Sequence, residues 1–332
     1  MNWPEFVSNL QIGCAISSLI LNSILIILII KKSPKKLGSY RYLMSYIAFF
    51  EMFFSILDVF LSPTIFSHGS MYFVIISGIK NGIFPKCIYF LLNCIWCGCI
   101  GSFMAFFAIQ FIYRFCVVND SKKILKSFDD YRIVFWMLIP ILFGILLGLI
   151  VCFLIGPNAE TDHAISDLLL TSLDMKIDDI TYIGPRCFER TADNQFIIFY
   201  KAIIAIIIIF IISTTSLIIV IFFGFKTFLK FRMSFEMISK QENNLQLQTF
   251  YALVSQTLIP MILMHFPCTI VLISTLSDFD LGHFSSIATV TFALFPALDP
   301  LPVMLIIKNY RGTLFNVVTT PVNIFVRRKT VI

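Results

Sequence analysis

Residues 8–30 read SNLQIGCAISSLILNSILIILII, and no charged side chain lies between Glu5 and Lys31. About 20 mostly apolar residues in helical form cross the hydrocarbon of a bilayer, so this run is long enough alone. It is too long for the apolar core of a signal peptide, and no basic segment precedes it. It reads as a signal anchor that stays in the chain. The composition agrees: of 332 residues 58% are hydrophobic and 13% charged, with mean hydropathy +0.90. A water-soluble domain carries about 25% charged residues, so too few polar side chains remain here to cover a globule. The 37 Phe exclude a disordered chain. The net charge of +6 does not point to nucleic acid, because the basic residues sit between apolar runs and not on one soluble face.

Outward from this run, six further apolar stretches follow at about 42–61, 87–113, 133–155, 195–225, 246–273 and 284–307. Charge inside them is confined to Glu51, Asp58, Lys201 and Asp299. Ile203 to Ile212 is β-branched, which in water favours a strand, but its length and lack of alternation decide for a helix in lipid. The expected fold is an all-α membrane protein, a seven-helix bundle forming one domain over 1–332. Residues 156–194 form a long acidic loop carrying Glu160, Asp162, Asp167, Asp174, Asp178, Asp179, Glu189 and Asp193, and residues 308–332 a basic tail. Of the 25 Lys and Arg, 19 fall after spans one, three and five or in the tail. By the positive-inside rule the amino terminus lies outside and the carboxyl terminus in the cytoplasm. The short segment before the first span leaves no room for a separate protein-binding domain. No internal repeat of the transporter kind is visible.

No G-x-S-x-G, H-E-x-x-H or phosphate loop occurs, and residues 288–307 hold no Lys that would carry retinal. Neither an enzyme nor a cofactor is expected. Cys94, Cys97 and Cys99 lie in an apolar helix without a nearby His, which favours small-residue helix packing over a metal site. Asn119-Asp120-Ser121 fits the glycosylation pattern but falls on the cytoplasmic side, where it stays unmodified.

Local motifs go further than topology. Leu37-Gly38-Ser39-Tyr40-Arg41-Tyr42-Leu43-Met44 resembles the LG-[ST]-Y-[KR]-YLM start of the second helix in nematode Str-type serpentine chemoreceptors. Phe50-Glu51 and Ile56-Leu57-Asp58-Val59 look like that helix's continuation. Leu253-Val254-Ser255-Gln256-Thr257-Leu258-Ile259-Pro260 is similar to the family's sixth-helix LxxQTxIP. Leu298-Asp299-Pro300-Leu301, then Tyr310-Arg311, resembles its seventh-helix DPL and trailing YR. Four motifs in register over nearly the whole chain are specific. The resemblance implies a G-protein-coupled chemoreceptor of nematode sensory neurons, in the plasma membrane of the sensory cilium. Its partners would be a small, apolar odorant or environmental compound, a heterotrimeric G protein and the bilayer, without nucleic acid. Tyr113-Arg114-Phe115 matches the family's YRY-like end of helix three; no acid precedes Arg114, which puts a lock to a neighbouring carboxylate in doubt.

In this frame Tyr113, Arg114, Pro260, Asp299, Pro300, Tyr310 and Arg311 are the candidate activation residues, with helix six kinked at Pro260. Candidate ligand contacts are Phe90, Asn93, Cys97, Tyr200, Lys201, His265 and Phe292. For each a bland reading stands beside the functional one: Lys201 snorkels to the interface, His265 packs in an interhelical hydrogen bond, and the others are ordinary packing. Cys87 and Cys187 either form a disulfide that pins the acidic loop over the bundle or are unrelated thiols. Asn22, Glu51 and Asp299 all lie about 13–15 Å from the cytoplasmic boundary at 1.5 Å per residue. They can meet as a polar core, either a static joint or a switch, in which two carboxylates must share a proton or a cation. A ligand-gated channel or seven-span transporter is the alternative class, and a channel of the insect odorant type would have the opposite orientation.

Overall fold

In the computed structural model, residues 3–79, 82–173, 175–190, 195–234 and 240–316 are described; Lys80, Asp174, Asp193 and the basic tail residues Arg327, Arg328 and Lys329 lie outside them. Among the described residues seven helices are long and apolar enough to cross a membrane. They are α1 (Trp3–Lys32), α2 (Tyr40–Leu61), α3 (Lys86–Val118), α4 (Ile133–Leu154) and α5 (Tyr200–Ser234), then two interrupted ones. The sixth, α6, runs Lys240–Pro260, passes through a π-helical turn at Met261–His265, and continues as Phe266–Leu276. The seventh, α7, is Ile287–Leu298 followed by Pro300–Ile306, with Asp299 at the joint.

Helices α3, α5 and α6 extend past their apolar runs toward the basic loops. An apolar run marks where a helix crosses lipid, whereas the helix itself satisfies its own backbone and continues into water. α3 is the most buried of the seven and α4 the least. The two meet along a glycine seam: a Cβ on Gly98 would stand 2.6 Å from the Gly144 carbonyl oxygen, and one on Gly148 3.1 Å from that of Cys94. Small residues that let backbones touch supply the packing that hydrophobicity cannot supply in lipid. The Cys-rich stretch of α3 belongs to this seam.

The end of the bundle away from the basic loops, here the lid end, is closed by strands. β1 (Thr64–His68) and β2 (Met71–Ser77) form an antiparallel hairpin with Phe66 opposite Phe73. Its two-residue turn has Gly69 at φ +53°, the positive value a II′-type turn needs at its first central position. β3 (Ile180–Ile183) adds antiparallel to β2, with Val74 opposite Ile183. β4 (Phe188–Arg190) and β5 (Phe196–Ile198) pair just before α5. A helix over Ala159–Leu168 covers the three-stranded sheet, burying Ile165 against Phe66, Phe73 and Tyr182. Asn158 caps it, its side-chain oxygen accepting from the Thr161 N–H at 3.0 Å. The Tyr182 hydroxyl donates to Asp162 at 2.6 Å, a contact that with burial pushes the phenol pKa up. The acidic segment is thus a structured lid with a core of its own.

Candidate functional site

Beneath the lid lies a cavity of about 290 Å³ bounded by α3, α5, α6 and the sheet. Its walls are mainly apolar, with Ile100 and Met104 from α3, Ile206 and Phe210 from α5, and Met264 from α6. The polar atoms come from Ser213 and Thr214 on α5, His265 and Thr269 on α6, and Tyr72 on β2. Thr269 donates to the His265 carbonyl at 2.7 Å. The His265 ring and the Tyr72 hydroxyl have no hydrogen-bond partner among the described residues. An apolar chamber with a few convergent polar groups is the usual form of a small-molecule site, and this volume suits a small compound.

Of the seven ligand candidates read from sequence, only His265 lines this cavity. Asn93 is fully buried and donates to the Val74 carbonyl at 3.1 Å, fixing the lid to α3. Phe292 stacks on Trp96 at 5.7 Å in the core, Phe90 packs beside Cys94 and Ile155, and Cys97 fills space in the same cluster. Tyr200 is 71% exposed and Lys201 is exposed at the start of α5, so Lys201 has the snorkelling placement. None of these six lines the cavity: the lid descends into the bundle, with Val74, Ile76 and Ile79 in the central core beside Phe292, while Tyr200 and Lys201 lie exposed at the start of α5. Ser213 and Thr214 were missed, although Ser213-Thr214-Thr215-Ser216 is a conspicuous polar patch in an Ile-rich helix.

Cys87 and Cys187 are both free thiols. Cys187 is buried, its N–H donating to the Ser70 carbonyl and its carbonyl accepting from Phe199 N–H, both at 3.0 Å. Cys87 is exposed on the first turn of α3. Strand pairing, not a bridge, pins this segment, and burial raises the Cys187 thiol to about 11.

Further from the lid, the expected polar core is assembled. Asn22, Glu51 and Asp299 are each at most 1% exposed and line one small void of about 10 Å³ together with Gln110 and Gln256. Gln256 Nε2 donates to Asp299 Oδ2 at 2.6 Å and to the Asp299 carbonyl at 3.2 Å. Asn22 donates to the Pro296 carbonyl at 3.0 Å, and the Glu51 and Asp299 carboxyls lie within hydrogen-bonding reach. Four oxygens, Asn22 Oδ1, Glu51 Oε1, Gln256 Oε1 and Asp299 Oδ1, have no partner. Buried acceptors without donors are costly, and two facing carboxylates cannot both be charged cheaply. The arrangement is chemically suited to a shared proton or one small cation or water. A third buried carboxylate, Asp58, is instead spoken for: it accepts from Trp96 Nε1 at 2.9 Å and Gln11 Nε2 at 3.5 Å, tying α2 to α3 and α1.

At the basic end Arg114 is 1% exposed. Its guanidinium lies 3.7 Å from the Tyr40 ring centroid, and Nη1 donates to Gln246 Oε1 on α6 at 2.8 Å. No carboxylate among the described residues pairs with it; its Nε and Nη2 are unpartnered. The absent acid noted in the sequence is replaced by a neutral amide on another helix. Tyr113 stacks on Tyr40, whose hydroxyl donates to Gln110 at 2.7 Å, so the latch is continuous with the polar core. Tyr310 is fully buried with its hydroxyl 2.6 Å from Ser33 Oγ, while Arg311 is exposed and donates to the Leu305 carbonyl at 3.4 Å. Pro260 begins the π turn and Pro300 restarts α7 after Asp299.

Comparison with known proteins agrees with this geometry. The chain is similar to the Caenorhabditis elegans "G-protein coupled receptor str-217", 35% identical over 90% of this chain and 85% of the relative. It is also similar to the C. elegans "Serpentine receptor class r-10", 24% identical over 89% and 86% respectively. The crystal structure of squid rhodopsin superposes with a TM-score of 0.61 at 14% identity, covering 96% of this chain and 88% of that one, which speaks for the fold alone. The model of the serpentine type 7TM GPCR chemoreceptor Str family matches residues 7–315. A seven-helix bundle with a lidded cavity, an arginine latched between α3 and α6, and these relatives have one reading: the chain belongs to the Str family of serpentine seven-transmembrane chemoreceptors.

Proposed function

We propose that this receptor senses a small, largely apolar compound carrying one hydrogen-bonding group, held in the cavity with His265 and Tyr72 as its polar contacts. The lid end faces outside and the basic end the cytoplasm, following the distribution of Lys and Arg. The receptor works at the plasma membrane of a chemosensory neuron and activates a heterotrimeric G protein.

One observation carries this reading: the π turn at Met261–His265 that interrupts α6 also forms part of the cavity wall, where we place the hinge. Met264 and His265 line the cavity, and the same five residues are the π turn that interrupts α6. Gln246 lies 19 residues away on the same helix, about 28 Å at 1.5 Å per residue. A tilt of about 10° at the turn moves Gln246 by about 5 Å, enough to break its hydrogen bond to Arg114. A ligand that binds the tilted form better shifts the equilibrium by that difference in affinity. The opened cleft beside Arg114 then receives the G protein.

The test is a compound screen on cells expressing the receptor with a promiscuous Gα subunit, followed by His265→Ala. An active compound should lose roughly tenfold in potency, the scale of one hydrogen bond, at unchanged surface level. Undiminished potency for every active compound would remove the cavity as the ligand site.

A further inference from the structure

Among the described residues the cavity is covered on the lid side and borders the outer surface between α5 and α6. On the lid side, Ile65 N donates to Thr289 Oγ1 and Ser67 N to Ser285 Oγ, both at 2.9 Å, tying β1 to the start of α7. Gly282 N donates to the Ser67 carbonyl at 3.0 Å, Asn93 holds the Val74 carbonyl, and Gly184 N donates to the Ile155 carbonyl at the end of α4 at 3.0 Å. Phe73, Ile76 and Ile183 are each at most 1% exposed. Among the described residues β1, β2 and the end of β3 are each bonded to helix residues or helix ends, and the Ala159–Leu168 helix packs over the sheet, so a bonded layer separates the cavity from the water on this side.

The side between α5 and α6 differs. The close packing of α5 is with α3 and α4, and that of α6 is with α7. Between them the residues that line the cavity also form the outer surface: Phe210 is 60% exposed, and Cys268 and Thr269 are exposed, although all three face the chamber. They lie at membrane depth within the two spans. The gap is rimmed by hydroxyls, Ser213 and Thr214 on one helix and Thr269 on the other.

We infer that the ligand reaches the cavity laterally from the bilayer through the gap between α5 and α6, so the receptor samples compounds dissolved in the membrane and not in water. This rests on the cavity being the ligand site. It restricts the ligand class to neutral, membrane-partitioning molecules, alkanol- or ketone-like amphiphiles. Each added methylene raises the concentration at the gap about fourfold until the chamber is full. The polar end passes along the rim hydroxyls to His265.

The route can be read without signalling, by photolabelling the full-length receptor in vesicles. Two diazirine probes of equal size serve: a neutral alkanol that partitions into lipid, and a trimethylammonium derivative that stays in water. The alkanol should label Met104 and Met264, and the charged probe should not. Thr269→Trp, which fills the gap, should slow alkanol labelling of Met104 at least tenfold. Asn93→Ala, which loosens the lid, should leave the rate unchanged. Labelling of Met104 by the charged probe, or acceleration by Asn93→Ala with no effect of Thr269→Trp, would overturn the lateral route and leave the cavity reading intact. Absence of cavity labelling by either probe would overturn both.

Discussion

The two halves of the bundle are built from opposite materials. Toward the lid, α3, α5 and α6 stand around about 290 Å³ of apolar space with few polar groups in its walls. Toward the basic end the space shrinks to about 10 Å³, and polar groups crowd it: two carboxyls, two glutamines and an asparagine, followed by a buried arginine. The first half offers room without strong directional bonds, which suits recognition of varied apolar compounds. The second offers strong directional bonds and no room, so any rearrangement exchanges one set of partners for another. Such a region is bistable, not compliant. The π turn of α6 joins the two.

If the halves divide labour in this way, variants in them should separate binding from signalling. The largest effect is expected at Arg114. Arg114→Ala should bind ligand within about twofold of wild type and abolish G-protein activation, because the guanidinium is the group exposed when α6 swings away. Normal signalling from this variant, measured at matched surface level, would dissolve the distinction. Asp299→Asn should have a smaller effect. It keeps shape and hydrogen bonding but removes the shared proton or cation, so it should traffic normally and change basal activity roughly two- to threefold, of the order of one modest hydrogen bond. The wild-type dependence of basal activity on pH and sodium should flatten in this variant. Wild-type behaviour across both would reduce the polar core to a static joint between helices.

The smallest effect sharpens the view of the lid. Cys87→Ser should not alter surface delivery or response, since Cys87 is a free, exposed thiol. With Cys187 buried and its thiol raised to about 11, alkylation of intact receptor at neutral pH should modify Cys87 and spare Cys187. A mass-spectrometric peptide linking the two would show that the lid is bridged.

What was legible follows from which forces act over sequence-local distances. The seven spans could be read because lipid demands an uninterrupted apolar run of fixed length. The meeting of Asn22, Glu51 and Asp299 could be read because depth along a helix is simple arithmetic from the nearest basic boundary. The hairpin could not. Residues 73–76 are buried on both faces, so they show none of the alternation that marks a half-exposed strand and read as a short apolar stretch of no particular kind. The hairpin decides what surrounds two of the candidate ligand contacts: Asn93 bonds the Val74 carbonyl and Phe292 packs in the core that Val74 and Ile76 enter, so neither lines the cavity. Gln110 carries no signal, and Gln256 only that of its motif, because an isolated amide in a span has no assigned role until its partner helix is known. Gln246 was invisible for the same reason, and only the fold shows that it meets Arg114.

The Arg114–Gln246 hydrogen bond joins the two ends of this proposed switch. A hydrogen bond to a charged group contributes about 1.5–3 kcal/mol, and here it crosses from α3 to α6 with no carboxylate among the described residues to replace it. Ligand-free basal activity of Gln246→Ala, measured beside wild type at equal surface density, tests it directly. A rise of roughly threefold to tenfold is expected, as loss of the latch moves the population toward the tilted form. Basal activity equal to or below wild type would contradict it.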